Sequence, residues 1–136
     1  MLNFKDSFFT QLFHSLDNNS TIMAVDENGE YRPIWCSGEY AEMMEGEAEE
    51  CIRYEASEEN VSVHPEDKDE VAYLFNNQKT RDGKNSLTIR KLTLKGNEIW
   101  VNVHFAFVKD EGDTVCILQL YGCEDDPDHC YDSQRL

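Results

Sequence analysis

The stretch NSLTIRKLTLKGNEIWVNVHFAFVKDEGDTVCILQLYG, residues 85–122, decides the fold. It holds three strand-like runs, 86–95, 98–108 and 114–121, joined through Gly96-Asn97 and through Asp110-Glu111-Gly112-Asp113. Runs rich in Val, Ile, Thr, Phe and Trp with such punctuation predict an antiparallel meander. The middle run alternates most clearly, with Ile99, Val101, Val103, Phe105 and Phe107 on one face and Trp100, Asn102, His104, Ala106 and Val108 on the other. The third run, 115–121, is nearly all apolar, which predicts cover on both of its faces. In the first run the apolar parity switches, from Leu87 and Ile89 to Leu92 and Leu94. That switch predicts a bulge or a second covered face. A sheet of this kind needs cover, and the rest of the chain has to supply it.

Length and charge bound what the protein can do. At 136 residues the prior is one domain with short extensions, and 40% hydrophobic residues suffice for one packed core. With 28 acids against 12 bases the formal net charge is −16. Such a charge repels phosphate backbones and anionic lipid, so neither nucleic-acid binding nor membrane insertion is expected. The apolar runs are too short for a transmembrane helix, and Gln11 and His14 interrupt the N-terminal apolar positions, unlike a signal peptide. Five Cys without tight pairing motifs point to reduced thiols and a cytoplasmic location.

The remaining chain reads as follows. In 3–17, Phe4, Phe8, Leu12 and Leu16 recur every four residues beside Phe9 and Phe13, predicting a helix with a broad apolar stripe. The stripe fits packing within the monomer and a dimerisation helix equally well. Residues 21–26 and 31–36 predict two short strands around Asp26-Glu27-Asn28-Gly29. Ser37 is placed as an N-cap for a short helix ending at Gly46, whose face is Tyr40, Met43 and Met44. Residues 45–59 are strongly acidic and predict a short helix or irregular rim segment anchored by Cys51, Ile52 and Tyr54, with its acids solvated. His64-Pro65-Glu66-Asp67 is the clearest helix start, because Pro suits the first helical position and acids suit the positive end of the dipole. Val71, Leu74, Phe75 and Gln78 follow one face, and Arg81-Asp82-Gly83 ends that helix. Residues 123–136 turn acidic and polar, as a linker or tail.

This order, with particular residues in it, resembles the PAS sensory domain family in its bacterial form. The cues are Asp26-Glu27-Asn28-Gly29, Trp35-Cys36-Ser37 entering a helix that ends at Gly46, and Val63-His64-Pro65-Glu66-Asp67. Arg90 six residues before Gly96, Trp100 four residues after it, and Lys109-Asp110-Glu111-Gly112 complete the set across residues 21–122. The resemblance implies an α+β domain: a five-stranded antiparallel sheet with helices over one face, enclosing a small cavity. It divides the chain into a flanking helix over 1–18, a sensory domain over 19–122 and a tail over 123–136. It also implies a homodimer made through Phe4, Phe8, Phe9, Leu12, Phe13 and Leu16 on the outer sheet face. A C-terminal output domain, of diguanylate cyclase or histidine kinase type, is the partner that family habit implies.

Candidate chemistry is sparse. Asp67-to-Gln78 offers no His for haem, and residues 45–57 lack the reactive Asn-Cys pair of flavin-binding members, where Cys51 does not restore the motif. Val101 stands where a flavin-contacting Asn would follow Trp100, although Gln119 resembles the strand glutamine of those light sensors. No cofactor is therefore expected. Cys123, His129 and Cys130 with Asp125, Asp126 and Asp128 lack the paired spacing of a zinc site, so no metal is expected. His64 reads as a local cap or packing residue, and His104 as pointing away from the cavity. No nucleophile–base set marks a catalytic residue, which leaves an enzyme using a cavity acid or Cys51 as the weaker alternative.

A cavity would have Val101, Val103 and Phe105 as its floor and Tyr40, Met44, Leu74 and Phe75 as its cover. Gln119 is the polar contact on the last strand. With only Gln119 and the Tyr40 hydroxyl as neutral hydrogen-bonding groups, a small, mainly apolar or weakly polar ligand fits better than a dianion. Arg90 is the cation that could change this. The competing reading is that Phe105 and the methionines fill the space, leaving a ligand-free dimerisation or protein-interaction module.

Overall fold

The computed structural model describes residues 19–122. The proposed flanking helix with its interface residues, and the Cys123/His129/Cys130 tail, lie outside the described residues. Strands β1 (Ser20–Val25) and β2 (Tyr31–Cys36) form a hairpin, followed by helices α1 (Gly38–Met43) and α2 (Ala48–Ser57). A 3-10 turn (Pro65–Asp67) leads into α3 (Lys68–Asn77), and β3 (Ser86–Leu92), β4 (Glu98–Asp110) and β5 (Asp113–Gly122) complete the chain. The strands form one antiparallel sheet in the order β2-β1-β5-β4-β3.

Turn chemistry sets the register. At the β4–β5 hairpin Glu111 and Gly112 both have positive φ, 52° and 90°, the signature of a turn whose twist matches its strands. At the β1–β2 hairpin the Asp26 carboxylate accepts the N–H of Asn28 (2.8 Å) and of Glu30 (3.0 Å), closing the loop on itself. Central β5 pairs with β1 from Ser20↔Leu120 to Ala24↔Cys116, and with β4 from Asn102↔Gly122 onward. The near-continuous apolar run of β5 follows from that place. Ile117 and Tyr121 join the main core, while Cys116, Leu118 and Leu120 join Ile22, Trp35 and Val108 in a second cluster.

Of the two explanations for the parity switch in the first meander strand, a bulge or a second covered face, the bulge is not there. β3 pairs with β4 in unbroken register from Ser86↔His104 to Leu92↔Glu98. Register shifts occur instead in the β1–β2 pairing at Ile22/Met23 and the β4–β5 pairing at Val108/Lys109. Leu94 lies beyond the end of β3, in the turn, and its N–H donates to the Met44 carbonyl (3.0 Å). The inward parity Leu87, Ile89 continues to Lys91, which is 4% exposed. The apparent switch of parity is thus a charged residue in an apolar slot.

Both helix starts are capped by the residues expected. The Ser37 hydroxyl accepts the Tyr40 N–H at 3.1 Å and also the Ser20 N–H at 3.1 Å, so one side chain ties α1 to β1. α1 ends at Met43, three residues short of the expected Gly46. His64 Nδ1 accepts the Glu66 N–H at 3.1 Å, and Pro65 takes the first position of the turn. α3 ends at Asn77, before the expected Arg81, because Gln78 adopts a left-handed φ of 61° as its C-cap. Its side chain then donates to Thr114 Oγ1 at 2.7 Å instead of extending the apolar face. The 45–59 segment is helical over α2, with Cys51 buried and the Tyr54 hydroxyl donating to the Leu92 carbonyl (3.0 Å).

Outside the sheet, Arg90 anchors the start of α3. Its guanidinium donates to both Asp67 oxygens (3.1 and 3.0 Å) and to Glu66 (3.3 Å), its backbone N–H donates to Asp67 (2.8 Å), and it lies 5.0 Å from the Trp100 ring centroid. Partial burial raises the Asp67 pKa, but the Arg90 bonds outweigh it and the net effect is a lowered value. A carboxyl lowered on folding contributes stability above its unfolded value, and the contribution is lost as pH falls through the folded value. Asp67→Ala is expected to cost about 1.5–3 kcal/mol at neutral pH, with the loss narrowing below about pH 3.9, as read by urea unfolding across pH. A loss that stays constant into acid contradicts this. Ser37→Ala is expected to cost about 0.5–2 kcal/mol in the same assay.

Candidate functional site

Between the inner sheet face and the helices lies a cavity of about 60 Å³. One end is apolar. Ile89, Val103 and Phe105 come from the sheet and Val71 and Phe75 from α3. Phe75 meets Phe105 edge-on at 5.7 Å and 81°, and its ring centroid stands 5.4 Å from that of Tyr31. Of the residues expected here, Tyr40, Phe75, Val103, Phe105 and Gln119 line the cavity. Met44, Leu74 and Val101 are also buried, at 1% exposure or less, but they pack into the solid part of the core and do not reach the space.

The other end is polar and charged. Lys91 Nζ donates to Ser62 Oγ at 2.7 Å and to Glu55 Oε2 at 3.3 Å. It also stands over the rings of Tyr40 and Tyr121, 5.2 and 5.3 Å from their centroids. The Glu55 carboxylate accepts from the Ser62 hydroxyl (2.6 Å) and from the Tyr40 hydroxyl, so every polar atom of the pair has a partner. Four segments converge on it: α1 gives Tyr40, α2 gives Glu55, the following loop gives Ser62 and β3 gives Lys91. Burial pulls the Lys91 pKa down, but the Glu55 charge and the facing phenol raise it further, and the net shift is upward. Its amine is therefore a held cation and not a nucleophile. Burial, reinforced by the Glu55 charge, holds the Tyr40 hydroxyl well above the usual phenol range, so it stays a donor.

This corrects two expectations. The acids of 45–59 are not all solvated, because Glu55 turns inward from α2 with its side chain 18% exposed. The cation that enters the interior is Lys91, whereas its neighbour Arg90 points to the opposite face and is spent on Asp67 and Glu66. Successive strand residues face opposite ways, so the two adjacent bases serve opposite sides of the sheet. The signal was present in the sequence: a Lys continuing the inward parity set by Leu87 and Ile89.

Gln119 is 7% exposed, and its orientation is set by two donors. The Tyr121 hydroxyl donates to Gln119 Oε1 at 2.6 Å and the Thr21 hydroxyl at 3.3 Å. Its Nε2 faces Met23 Sδ at 3.1 Å, and a thioether is a weak acceptor. The amide therefore presents donor capacity toward the cavity that the protein itself uses poorly. Cys36 and Cys51 also border the space, with thiols pushed up by burial to about 11 and about 12. Burial thus favours the neutral form of the Cys51 thiol, which weakens the thiol version of the enzymatic alternative. His64 caps its turn and His104 is exposed, so neither reaches the cavity. Among the described residues no three His, Cys, Asp or Glu gather as a metal set, and no helix is long and apolar enough to cross a membrane.

The cavity does not fit a flavin. Its volume corresponds to about four to six water-sized groups, since one needs about 10–15 Å³. Three fused rings would have to displace Phe75, Phe105 or the Lys91–Glu55 pair. Outside it, an open groove shares Met23, Pro33, Glu55, Asn60 and Phe75 with the cavity and is rimmed by Glu30, Glu58 and Glu59.

No family model matches the chain, and no curated protein matches it. Solved structures do. The PAS domain of the fruit-fly ELK potassium channel is similar with a TM-score of 0.65 at 15% identity, over 88% of this chain and 96% of that domain. A light-oxygen-voltage domain studied with a flavin analogue gives 0.63 at 16% identity, over 90% and 88%. The PAS domain of a protein from Colwellia psychrerythraea gives 0.57 at 20% identity, over 84% and 94%. What is shared at such identities is architecture, and it agrees with the sheet order and helical cover described above: this chain has the PAS fold.

Proposed function

We propose that residues 19–122 are a non-catalytic sensory module that binds a small ligand in the inner cavity. The ligand's arrival is relayed through a homodimer and the C-terminal segment to an output domain of a bacterial signal-transduction protein. A diguanylate cyclase or a histidine kinase is the output type in keeping with the sequence resemblance, and a cytoplasmic setting agrees with the reduced thiols expected from the sequence. The observation that carries this reading is the space of about 60 Å³ whose wall holds an under-used amide, Gln119, beside a charged cluster. The four segments that meet at Lys91 and Glu55 give a bound molecule mechanical access to both the sheet and the helices. The proposed flanking helix is the dimerising element, and burying its large apolar side chains would contribute about 1.5–3 kcal/mol each.

A second reading is a ligand-free dimerisation or protein-interaction module. The edge-on Phe75–Phe105 contact favours it, because those rings already occupy much of the space. Native mass spectrometry of the purified protein, beside Phe105→Ala, separates the two. Sensing predicts a co-purified mass in the wild type and a changed bound mass in the variant. A filled core predicts the bare polypeptide mass in both, with Phe105→Ala showing only a stability loss of about 3–5 kcal/mol. Light scattering on protein lacking residues 1–18 tests the dimer: loss of dimer mass is expected, and an unchanged dimer removes the helix from the interface.

A further inference from the structure

Lys91 and Glu55 are unequal partners. The Lys91 side chain is 4% exposed and that of Glu55 is 18% exposed. Lys91 projects from the sheet, where β3 is held in register on β4. Glu55 stands in the last turn of α2, with its carboxylate toward the negative end of the helix dipole and no basic residue in that turn. It also borders both the inner cavity and the open groove outside. Position, dipole and exposure all make the ammonium the fixed charge and the carboxylate the movable one. A buried ion pair is in addition a poor device for stability alone, because apolar residues of similar volume are often as good or better.

We propose that the cavity takes a small monocarboxylate, which replaces Glu55 as the partner of Lys91 and Ser62 while Glu55 turns out into the groove. This rests on the ligand-cavity reading above and names the ligand's chemical class. The exchange keeps one anion beside the buried ammonium at every stage, so no unmatched charge is created in the interior. Gln119 Nε2, which now faces only a thioether, is a further donor on the wall for an acceptor atom of the ligand. Val71, Phe75 and Phe105 leave an apolar end for a short alkyl body. The cavity's size, about four to six water-sized groups, matches a carboxylate with a short branched chain. Arg32, paired with Glu30, offsets one of the groove's acids, and Glu58 and Glu59 leave its rim acidic, so entry of the anion is slowed at low ionic strength and accelerates with salt. Release of Glu55 from Tyr40, Ser62 and Lys91 would remove its ties from α2 to α1 and β3, leaving the Tyr54–Leu92 bond as the remaining hydrogen bond described between α2 and β3, and that loosening is the change a relay requires.

Three probes of nearly equal shape test the charge rule: isobutyrate, isobutyramide and isobutylamine, titrated by NMR into the wild type, Lys91→Met and Glu55→Gln. Isobutyrate is expected to bind the wild type at least about tenfold more tightly than either other probe. Lys91→Met should lose that preference, and Glu55→Gln should bind isobutyrate about tenfold more tightly than the wild type, because the competing carboxylate is gone. If Lys91→Met does not fold, the Glu55→Gln arm decides. Preference for the amide or the amine, or no gain in Glu55→Gln, overturns the exchange while leaving a ligand cavity in place. Absence of binding by all three probes overturns the carboxylate assignment, and the ligand reading falls with it if native mass spectrometry shows only the bare polypeptide.

Discussion

The Lys91 ammonium lies under the helical layer at 4% exposure, where an unmatched charge would cost several kcal/mol, and the surrounding segments are arranged to match it. Glu55 supplies the countercharge, Ser62 bridges the two, and Tyr40 donates to the carboxylate while lending its ring to the cation. These residues come from four separate segments, so satisfying one charge fixes how α1, α2 and the loop before α3 sit over β3. The cavity exists beside this cluster because side chains committed to hydrogen bonds cannot also collapse into the neighbouring space. Its other end is aromatic, with Phe75 edge-on against Phe105.

The opposite face of β3 uses electrostatics differently. Arg90, next to Lys91 in sequence, reaches Asp67 and Glu66 at the edge of the helical layer, where its bonds fix the entry of α3. Asp67 takes two of those bonds and a third from the Arg90 backbone N–H, and is 16% exposed, so that contact is structural and strong without being deeply buried. One strand therefore carries two adjacent bases with distinct duties. Arg90 secures the scaffold, and Lys91 charges the interior.

Much of this architecture was legible in the residues. The alternation through Glu98–Asp110, the glycine-bearing turns, the Ser37 cap and the proline-led start at Pro65 each encode a local geometry that tertiary packing did not override. Helix ends were less legible, because Gln78 in a left-handed conformation closes α3 without the glycine that usually marks such a stop. The polar half of the cavity was the harder part. Glu55 sits among many acids on a helix with a modest inward face, and nothing in its local sequence separates it from its solvated neighbours. Only its pairing with Lys91, 36 residues away, selects it. Lys91 itself was readable as a charge at an inward position, but an apolar pattern that resumes with Leu92 and Leu94 disguised the position as a change of register.

A coupled charge pair organises the interior, and a double-mutant cycle on Glu55 and Lys91 measures that coupling directly. Urea unfolding of Glu55→Ala, Lys91→Met and the double variant gives the four stabilities needed. Glu55→Ala alone should lose about 3–5 kcal/mol, because it leaves a buried ammonium unmatched, and adding Lys91→Met should restore most of that loss. Losses that simply add, or a Glu55→Ala cost below about 1 kcal/mol, would contradict the account, since the two groups would then be stabilised independently of each other.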